Sequence, residues 1–298
     1  MAGGLVGIAQ PAAMVQASPV LAEYGDLHQL TAAQLFWAYS KNTELATADG
    51  ESTDAICWRF RQEYPATAEE AFRASRQGSF ISGDAVLRAR KFTALPQGHA
   101  LVVLGCDFAT GGDGEGGDDN VIIDRQGRAA GRNIYRRFND KNTVSVASVL
   151  GNAIDRIKPA MTFIDTGGGG AQVYDILVAR GYQRMTLVDF GAKPLDGRKY
   201  LNKRAEMWGD MRDWLGDVGG ADIPDEDTLD GELTGPKAKT DFHQRVRLEK
   251  KDQVRKEIGH SPDGADALAT TFAETVHAPN PLGMPGLVTP VADRAVGY

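Results

Sequence analysis

The sequence predicts an α/β protein with a mixed five-stranded sheet flanked by helices, and three observations support this fold class. A continuous apolar run over residues 101–109 is typical of a buried central strand. Two further strands, predicted over residues 120–124 and 133–138, follow after short connections, which favours an antiparallel meander. From residue 142 onward, helical and strand patterns alternate, as they do in parallel β-α-β units.

The later elements are assigned from apolar spacing and from the residues that end helices. Residues 142–157 show helical spacing and stop before Pro159, which cannot continue a helix. Short apolar runs over residues 161–164 and 185–190 predict the fourth and fifth strands. Further helices are expected from residue 173 up to Gly181, over residues 202–215 and over residues 262–276.

The composition excludes several classes of protein. The chain has 298 residues, 42% of them hydrophobic and 24% charged, which is typical of a globular protein. Its two cysteines cannot build a disulfide framework, which favours a reducing, intracellular compartment. No apolar run reaches the roughly 20 residues of a membrane span, so no membrane association is expected. Because the net charge is −7, nucleic-acid binding requires local basic patches.

Three regions differ in character along the chain. Residues 1–92 predict a mostly helical region, with a short amphipathic helix around Gln34 and Trp37. In the same region, Thr67 and Glu70 fit a capping box at a helix start. Residues 93–277 contain the predicted sheet and its helices. Residues 278–298 are rich in proline and predict a flexible tail.

Acidic residues stand out at three positions, two of them at strand ends, where an α/β sheet binds its ligands. Asp107 ends the first predicted strand, and Asp165 ends the fourth, just before four glycines. If these strands are neighbours, both carboxylates project side by side at the carboxyl edge of the sheet. Asp263 and Asp266 lie three residues apart on one face of the last helix. Carboxylates held together repel unless a hard divalent cation such as Mg²⁺ lies among them, so the pattern predicts a metal site.

Two of these acids also have a purely structural explanation. Asp263, which follows Pro262, favours the helix macrodipole, and Asp165 fits an ordinary turn before glycines. Asp107 is harder to explain in this way, because a carboxylate inside an apolar run is costly without a partner. A catalytic role for all four therefore depends on their convergence in space.

Several segments, in order along the chain, resemble the nuclease domain of phage terminase large subunits. They are GCDFATGGDGEGGDDN, FIDTGGGG, KYLNKRAEMWGDMRDWL and SPDGADALATTF. Upstream, FRQEYPATAEEAF resembles the segment that closes the terminase ATPase domain, so the resemblance spans roughly residues 55–277. It implies a ribonuclease H-like fold and metal-dependent endonucleolytic cleavage of concatemeric double-stranded DNA during viral genome packaging.

The resemblance also implies roles for individual residues. Asp107 and Asp165 match metal ligands, and Asp119 matches an acid with an indirect role beside them. Either Asp263 or Asp266 matches the third acid, with Asp266 ranked slightly ahead. The implied cofactor is Mg²⁺ or Mn²⁺, with two ions stabilising the attacking and leaving oxygens of a phosphodiester.

The implied partners are double-stranded DNA, a portal protein, a small terminase subunit and an ATPase motor. The sequence departs from the full-length family because it contains no G-x-x-x-x-G-K-[ST] phosphate-binding loop. Three explanations are open: the motor is a domain of a longer chain, it is a separate subunit, or it was lost by truncation of the gene. The expected location is the host cytoplasm, with transient attachment to the procapsid portal.

Basic residues cluster in three stretches that predict phosphate-directed DNA contacts, although a solvated charged face is the simpler explanation for any one of them. The candidates chosen from these clusters are Arg136, Arg137, Lys199, Lys203, Arg204, Arg245 and Arg247. The third cluster continues to residue 256. In contrast, residues 217–232 contain no basic residue and predict a solvated acidic loop.

Two other functions remain open from the sequence. A junction resolvase or transposase-like nuclease would share the fold, but the terminase-like stretch at residues 60–72 argues against it. A non-catalytic docking module would link DNA or the motor to a portal. Such a module would show no dependence on divalent ions.

Overall fold

The protein divides into two compact units, residues 1–77 and residues 78–298. The computed structural model describes residues 19–50, 52–53, 55–64, 78–110 and 118–277. The helix after Ser82 buries Val86 in the core of the second unit. The predicted capping box at Thr67 and the tail over residues 278–298 lie outside the described residues.

The first unit contains helices α1 (Pro19–Leu27), α2 (Ala32–Asp49) and α3 (Trp58–Glu63). The helix predicted around Gln34 and Trp37 is present as α2. It begins at Thr31, whose side chain accepts a hydrogen bond from the backbone N–H of Gln34 in a capping box. Leu35 and Phe60 pack into a small apolar cluster that stabilises these helices.

The second unit contains the sheet and its flanking helices. Its strands are β1 (Val102–Asp107), β2 (Asn120–Gln126), β3 (Ala129–Phe138), β4 (Met161–Asp165), β5 (Met185–Val188), β6 (Ala238–Thr240) and β7 (Val246–Leu248). Its helices are α4 (Gly83–Lys91), α5 (Thr143–Ile157), α6 (Gly170–Ala179), α7 (Lys203–Gly216), α8 (Asp227–Thr234), α9 (Lys251–Ile258) and α10 (Asp263–Thr270). Within the described ranges, no helix is both long and apolar enough to cross a membrane.

The predicted mixed sheet is confirmed. Its strand order is β3-β2-β1-β4-β5, and β6 and β7 form a separate two-stranded ribbon. Strand β1 runs antiparallel to β2 and parallel to β4. Cys106 of β1 is in register with Ile164 of β4, so the next residue in each strand lies at the same edge of the sheet. These next residues are Asp107 and Asp165.

Alternate residues of each strand enter opposite faces of the sheet, as the pleat requires. Leu104 and Ile164 pack with α5 and α6 on one face. Val103 and Phe163 pack on the other face with α7, α10 and the fully buried Trp208. Helices cover both faces, and α10 lies directly against β1 and β2.

Gly105 allows α10 to approach β1 closely. A Cβ atom at this position would lie 2.0 Å from the carbonyl oxygen of Ala267 and 2.6 Å from Oγ1 of Thr270. We expect Gly105→Ala to lower the free energy of unfolding by about 2–3 kcal/mol, because α10 has to move off the sheet. Urea denaturation measures this change. Gly98→Ala, where a Cβ would meet nothing within 4 Å, is the control, and equal midpoints for both variants would contradict the argument.

The prediction of a solvated loop over residues 217–232 is wrong for the last part of this segment. Residues 227–232 lie in helix α8, and the Glu232 side chain is fully buried. The last helix also ends earlier than predicted, at Thr270. Local sequence gives no sign that Glu232 has a partner inside the protein, and without a partner a carboxylate belongs in water.

Candidate functional site

Four acidic side chains from three segments gather at the carboxyl edge of the sheet. Asp107 ends β1, Asp165 ends β4, and Asp263 and Asp266 lie in the first turn of α10. All four are buried, with exposed fractions of 5%, 6%, 4% and 0% in that order. The site forms because β1 and β4 are neighbouring parallel strands and α10 packs across them.

A lysine lies among these carboxylates. The Nζ atom of Lys251, the first residue of α9, is 2.9 Å from Oδ2 of Asp107 and 3.0 Å from Oδ2 of Asp266. It also lies 5.4 Å from the centre of the Phe190 ring. Sequence reasoning placed Lys251 only within a basic stretch, because nothing local distinguishes it from the cations around it. The structure makes it the bridge between two acidic segments.

Burial and mutual repulsion raise the pKa values of three of these four carboxylates. Burial raises the pKa of Asp107 to about 8; the Lys251 ammonium opposes this shift, and the neighbouring carboxylates reinforce it. Burial also raises the pKa values of Asp165 and Asp263. For Lys251, burial acts to lower the pKa, but the carboxylates of Asp107 and Asp266 outweigh it and raise the pKa. The edge of the sheet therefore favours a cation.

Asp266 differs from the other three acids. Its Oδ1 accepts hydrogen bonds from Nε1 of Trp208 at 2.7 Å and from Nε of Arg204 at 3.1 Å. Burial alone would raise the pKa of Asp266, but the Arg204 guanidinium and the Lys251 ammonium outweigh it and hold the pKa below its usual value. Asp266 is therefore ionised, and Arg204 and Trp208 orient its carboxylate. It shares the Lys251 ammonium with Asp107.

Asp263 faces the start of β2. Its Oδ2 accepts a hydrogen bond of 2.9 Å from the backbone N–H of Asp119. The Asp119 side chain lies 3.4 Å from the Arg137 guanidinium. Asp119 thus contacts the acidic cluster through its backbone, and its carboxylate connects that contact to β3.

The donor atoms of this site fit a hard divalent cation, because carboxylate oxygens are the ligands such ions prefer. As the side chains stand, however, no three His, Cys, Asp or Glu residues within the described ranges could together hold a metal ion. The Lys251 ammonium occupies the space between Asp107 and Asp266. A metal ion held by these carboxylates would have to take over the position of that positive charge.

The predicted DNA contacts divide into two groups. Five of the seven pair with acidic side chains of the chain itself: Arg137 with Glu232, Lys203 with Glu206, Arg204 with Asp266, Arg245 with Asp241 and the exposed Lys199 with Asp213. The other two, Arg136 and Arg247, are exposed. Arg204 is only 8% exposed, so it supports the acidic cluster and does not face solvent.

Comparisons with known proteins identify the fold. No family model and no curated protein matches the chain. Among solved structures, it is similar to the nuclease domain of the large terminase subunit gp2 of bacterial virus Sf6, with 18% identity and a TM-score of 0.52 over 68% of this chain and 100% of that domain. A variant of that domain with manganese and beta-thujaplicinol gives a TM-score of 0.53, also at 18% identity, over 68% of this chain and all of that domain. The chain therefore has the ribonuclease H-like fold of phage terminase nuclease domains.

Proposed function

We propose that this chain is a metal-dependent endonuclease that cuts concatemeric double-stranded DNA during phage genome packaging. The observation that carries the proposal is the convergence of Asp107 and Asp266 on a single positive charge, that of Lys251, with Asp165 at the end of the strand beside Asp107. The fold supports it, because the similar Sf6 domain is a terminase nuclease that has been solved with manganese and with calcium.

In this proposal Asp107, Asp165 and Asp266 hold the metal, and Arg204 and Trp208 orient Asp266. Asp263, held by the backbone of Asp119, completes the acidic edge. When bound, two Mg²⁺ or Mn²⁺ ions would activate water and stabilise the leaving 3′ oxygen. The reaction needs no side-chain nucleophile. Cys106 is a poor one, because burial and the adjacent Asp107 raise the pKa of its thiol.

A basic ribbon formed by β6 and β7 is the proposed DNA contact nearest to the site. Lys239 and Arg247 lie directly opposite each other on its two strands. Like charges in this arrangement repel. Both side chains are exposed, and neither has an acidic partner in the part of the chain that the structure describes. Phosphate groups of DNA would supply the missing anions. After β7, two residues separate the basic ribbon from Lys251, so DNA bound here lies beside the acids.

The double variant Lys239→Gln/Arg247→Gln is expected to bind duplex DNA more weakly, with a slope of log K against log salt that is less steep by about 2. Fluorescence anisotropy in EDTA between 50 and 200 mM salt (about the range in which such slopes are resolved) measures both quantities. The matched control is Lys158→Gln/Arg184→Gln, which removes two exposed cations that precede β4 and β5 at the opposite edge of the sheet. Equal slopes for the two double variants would show that the basic ribbon does not contact DNA.

Cleavage of supercoiled plasmid tests the proposed function directly. We expect the wild-type protein to nick and linearise plasmid with Mn²⁺ or Mg²⁺ and to be inactive in EDTA, with little sequence preference because nothing indicates base recognition. A protein that binds plasmid equally well in all three conditions but never cuts it would be the docking module instead.

The proposed partners follow from the same function. A portal protein, a small terminase subunit and an ATPase motor domain or subunit would bring DNA to this site. The complex would act in the host cytoplasm, with transient attachment to the procapsid portal. Pull-down of procapsids by the tagged protein, with and without the motor, tests this assembly.

A further inference from the structure

An ion pair with a fully buried carboxylate and a partly exposed guanidinium lies behind the acidic cluster, between β3 and α10. Glu232 of α8 is 0% exposed. Its Oε1 accepts a hydrogen bond of 2.7 Å from Nη2 of Arg137, and its Oε2 accepts one of 3.0 Å from the backbone N–H of Ala265. The same carboxylate therefore joins strand β3 to the first turn of α10.

Helix α10 depends on this carboxylate for its N-terminal cap. The first N–H groups of any helix lack partners within the helix, and a side chain of the preceding residue normally binds one of them. Here the preceding residue is Pro262, which makes no side-chain cap hydrogen bond. Glu232 supplies the cap from another helix. The place of the turn that carries Asp263 and Asp266 is thus set by α8.

Arg137, the cation that pairs with Glu232, also contacts the same turn through Asp119. Nη1 of Arg137 lies 3.4 Å from Oδ2 of Asp119, and the backbone N–H of Asp119 donates a hydrogen bond of 2.9 Å to Asp263. A Cβ atom on Gly264 would lie 2.6 Å from Oε2 of Glu232 and 2.7 Å from Nη2 of Arg137. The first turn of α10 therefore packs directly against both members of the ion pair.

Stability alone gives a weak reason for such a pair, because apolar residues of similar volume often stabilise a core equally well. Its geometry gives a stronger reason. We infer that the Arg137–Glu232 pair is a positioning device, which fixes the first turn of α10 so that its acids can bind a divalent metal ion. This inference rests on the proposed function. It also gives part of the acidic segment 217–232 a role at the site.

Mn²⁺ binding to the full chain, followed by the electron paramagnetic resonance of free Mn²⁺, tests the inference without DNA or turnover. Glu232→Gln keeps the shape of the side chain. Its amide N–H₂ group, however, must face either Arg137 or the backbone N–H of Ala265, and both of these are donors. Gly264→Ala keeps every charge and places a Cβ atom in the contact between the turn and the ion pair. Glu257→Gln, at an exposed carboxylate that pairs with Lys237 on the surface, is the matched control. Circular dichroism and the melting temperature establish that each variant is folded.

We expect Glu232→Gln and Gly264→Ala to raise the dissociation constant for Mn²⁺ about tenfold or more, with Glu257→Gln unchanged. A purely structural pair would lower the melting temperature and leave the affinity of the folded protein unchanged, which would overturn the inference. If Glu232→Gln does not fold, Gly264→Ala decides alone. If the wild-type protein itself binds no Mn²⁺, the proposed function fails and this inference fails with it.

Discussion

Asp107→Asn is expected to slow metal-dependent DNA cleavage about a thousandfold or more, which corresponds to roughly 4 kcal/mol of lost transition-state stabilisation. The asparagine keeps the size of the side chain and removes the charge that a divalent cation requires. Asp107 shares Lys251 with Asp266, so its charge is central to the acidic edge. The initial rate of plasmid nicking in Mn²⁺ measures the effect.

The loss of activity should come without loss of the fold. Because burial raises the pKa of Asp107 to about 8, a neutral side chain suits this position well. Asp175→Asn, at an exposed acid on α6, is the matched control and should cut at the wild-type rate. Wild-type cleavage by Asp107→Asn would sink the proposed site, because it would place the chemistry elsewhere.

Arg204→Ala is expected to lower the free energy of unfolding by about 3–5 kcal/mol, the cost of leaving a buried carboxylate without its main counter-charge. Arg204 contacts Asp266 through Nε at 3.1 Å and the carbonyl oxygen of Glu249 through Nη1 at 2.9 Å. When Arg204 is removed, the Asp266 carboxylate and the Glu249 carbonyl oxygen do not gain enough contact with water to replace the lost hydrogen bonds. Urea denaturation at neutral pH, where Asp266 is ionised, gives the unfolding free energy.

Two further variants sharpen this prediction. Arg198→Ala removes an arginine whose side chain is 98% exposed, and we expect it to change stability by no more than about 0.5 kcal/mol. In the double variant Arg204→Ala/Asp266→Asn the buried charge is gone, so it should unfold at a higher urea concentration than Arg204→Ala alone. Additive effects of the two substitutions would mean that Arg204 stabilises the protein through something other than Asp266.

Local sequence carried enough information for the sheet and for the two strand-end acids. The apolar run of β1 predicts a strand buried on both faces, and such a strand lies at the centre of a sheet. Asp107 interrupts that pattern, which marks it as costly and therefore unusual. The parallel pairing of β1 with β4 then places Asp165 beside it.

The contacts that complete the site involve residues far apart in sequence. Glu232 belongs to an acidic segment that, taken alone, predicts a solvated loop, yet it caps α10. Arg204 belongs to a basic cluster that, taken alone, predicts a DNA contact, yet it is buried against Asp266. For both residues the charge is evident in the sequence, but the partner is not.

The sequence by itself determined the strand pattern and the acids that end two strands, because periodicity and burial cost act over a few neighbouring residues. Only the tertiary structure decided which charges meet. Lys251 joins Asp107 to Asp266 because the basic ribbon delivers α9 to the edge of the sheet. Buried charges such as these form ion pairs, because a charge removed from water is strongly destabilising without a partner inside the protein.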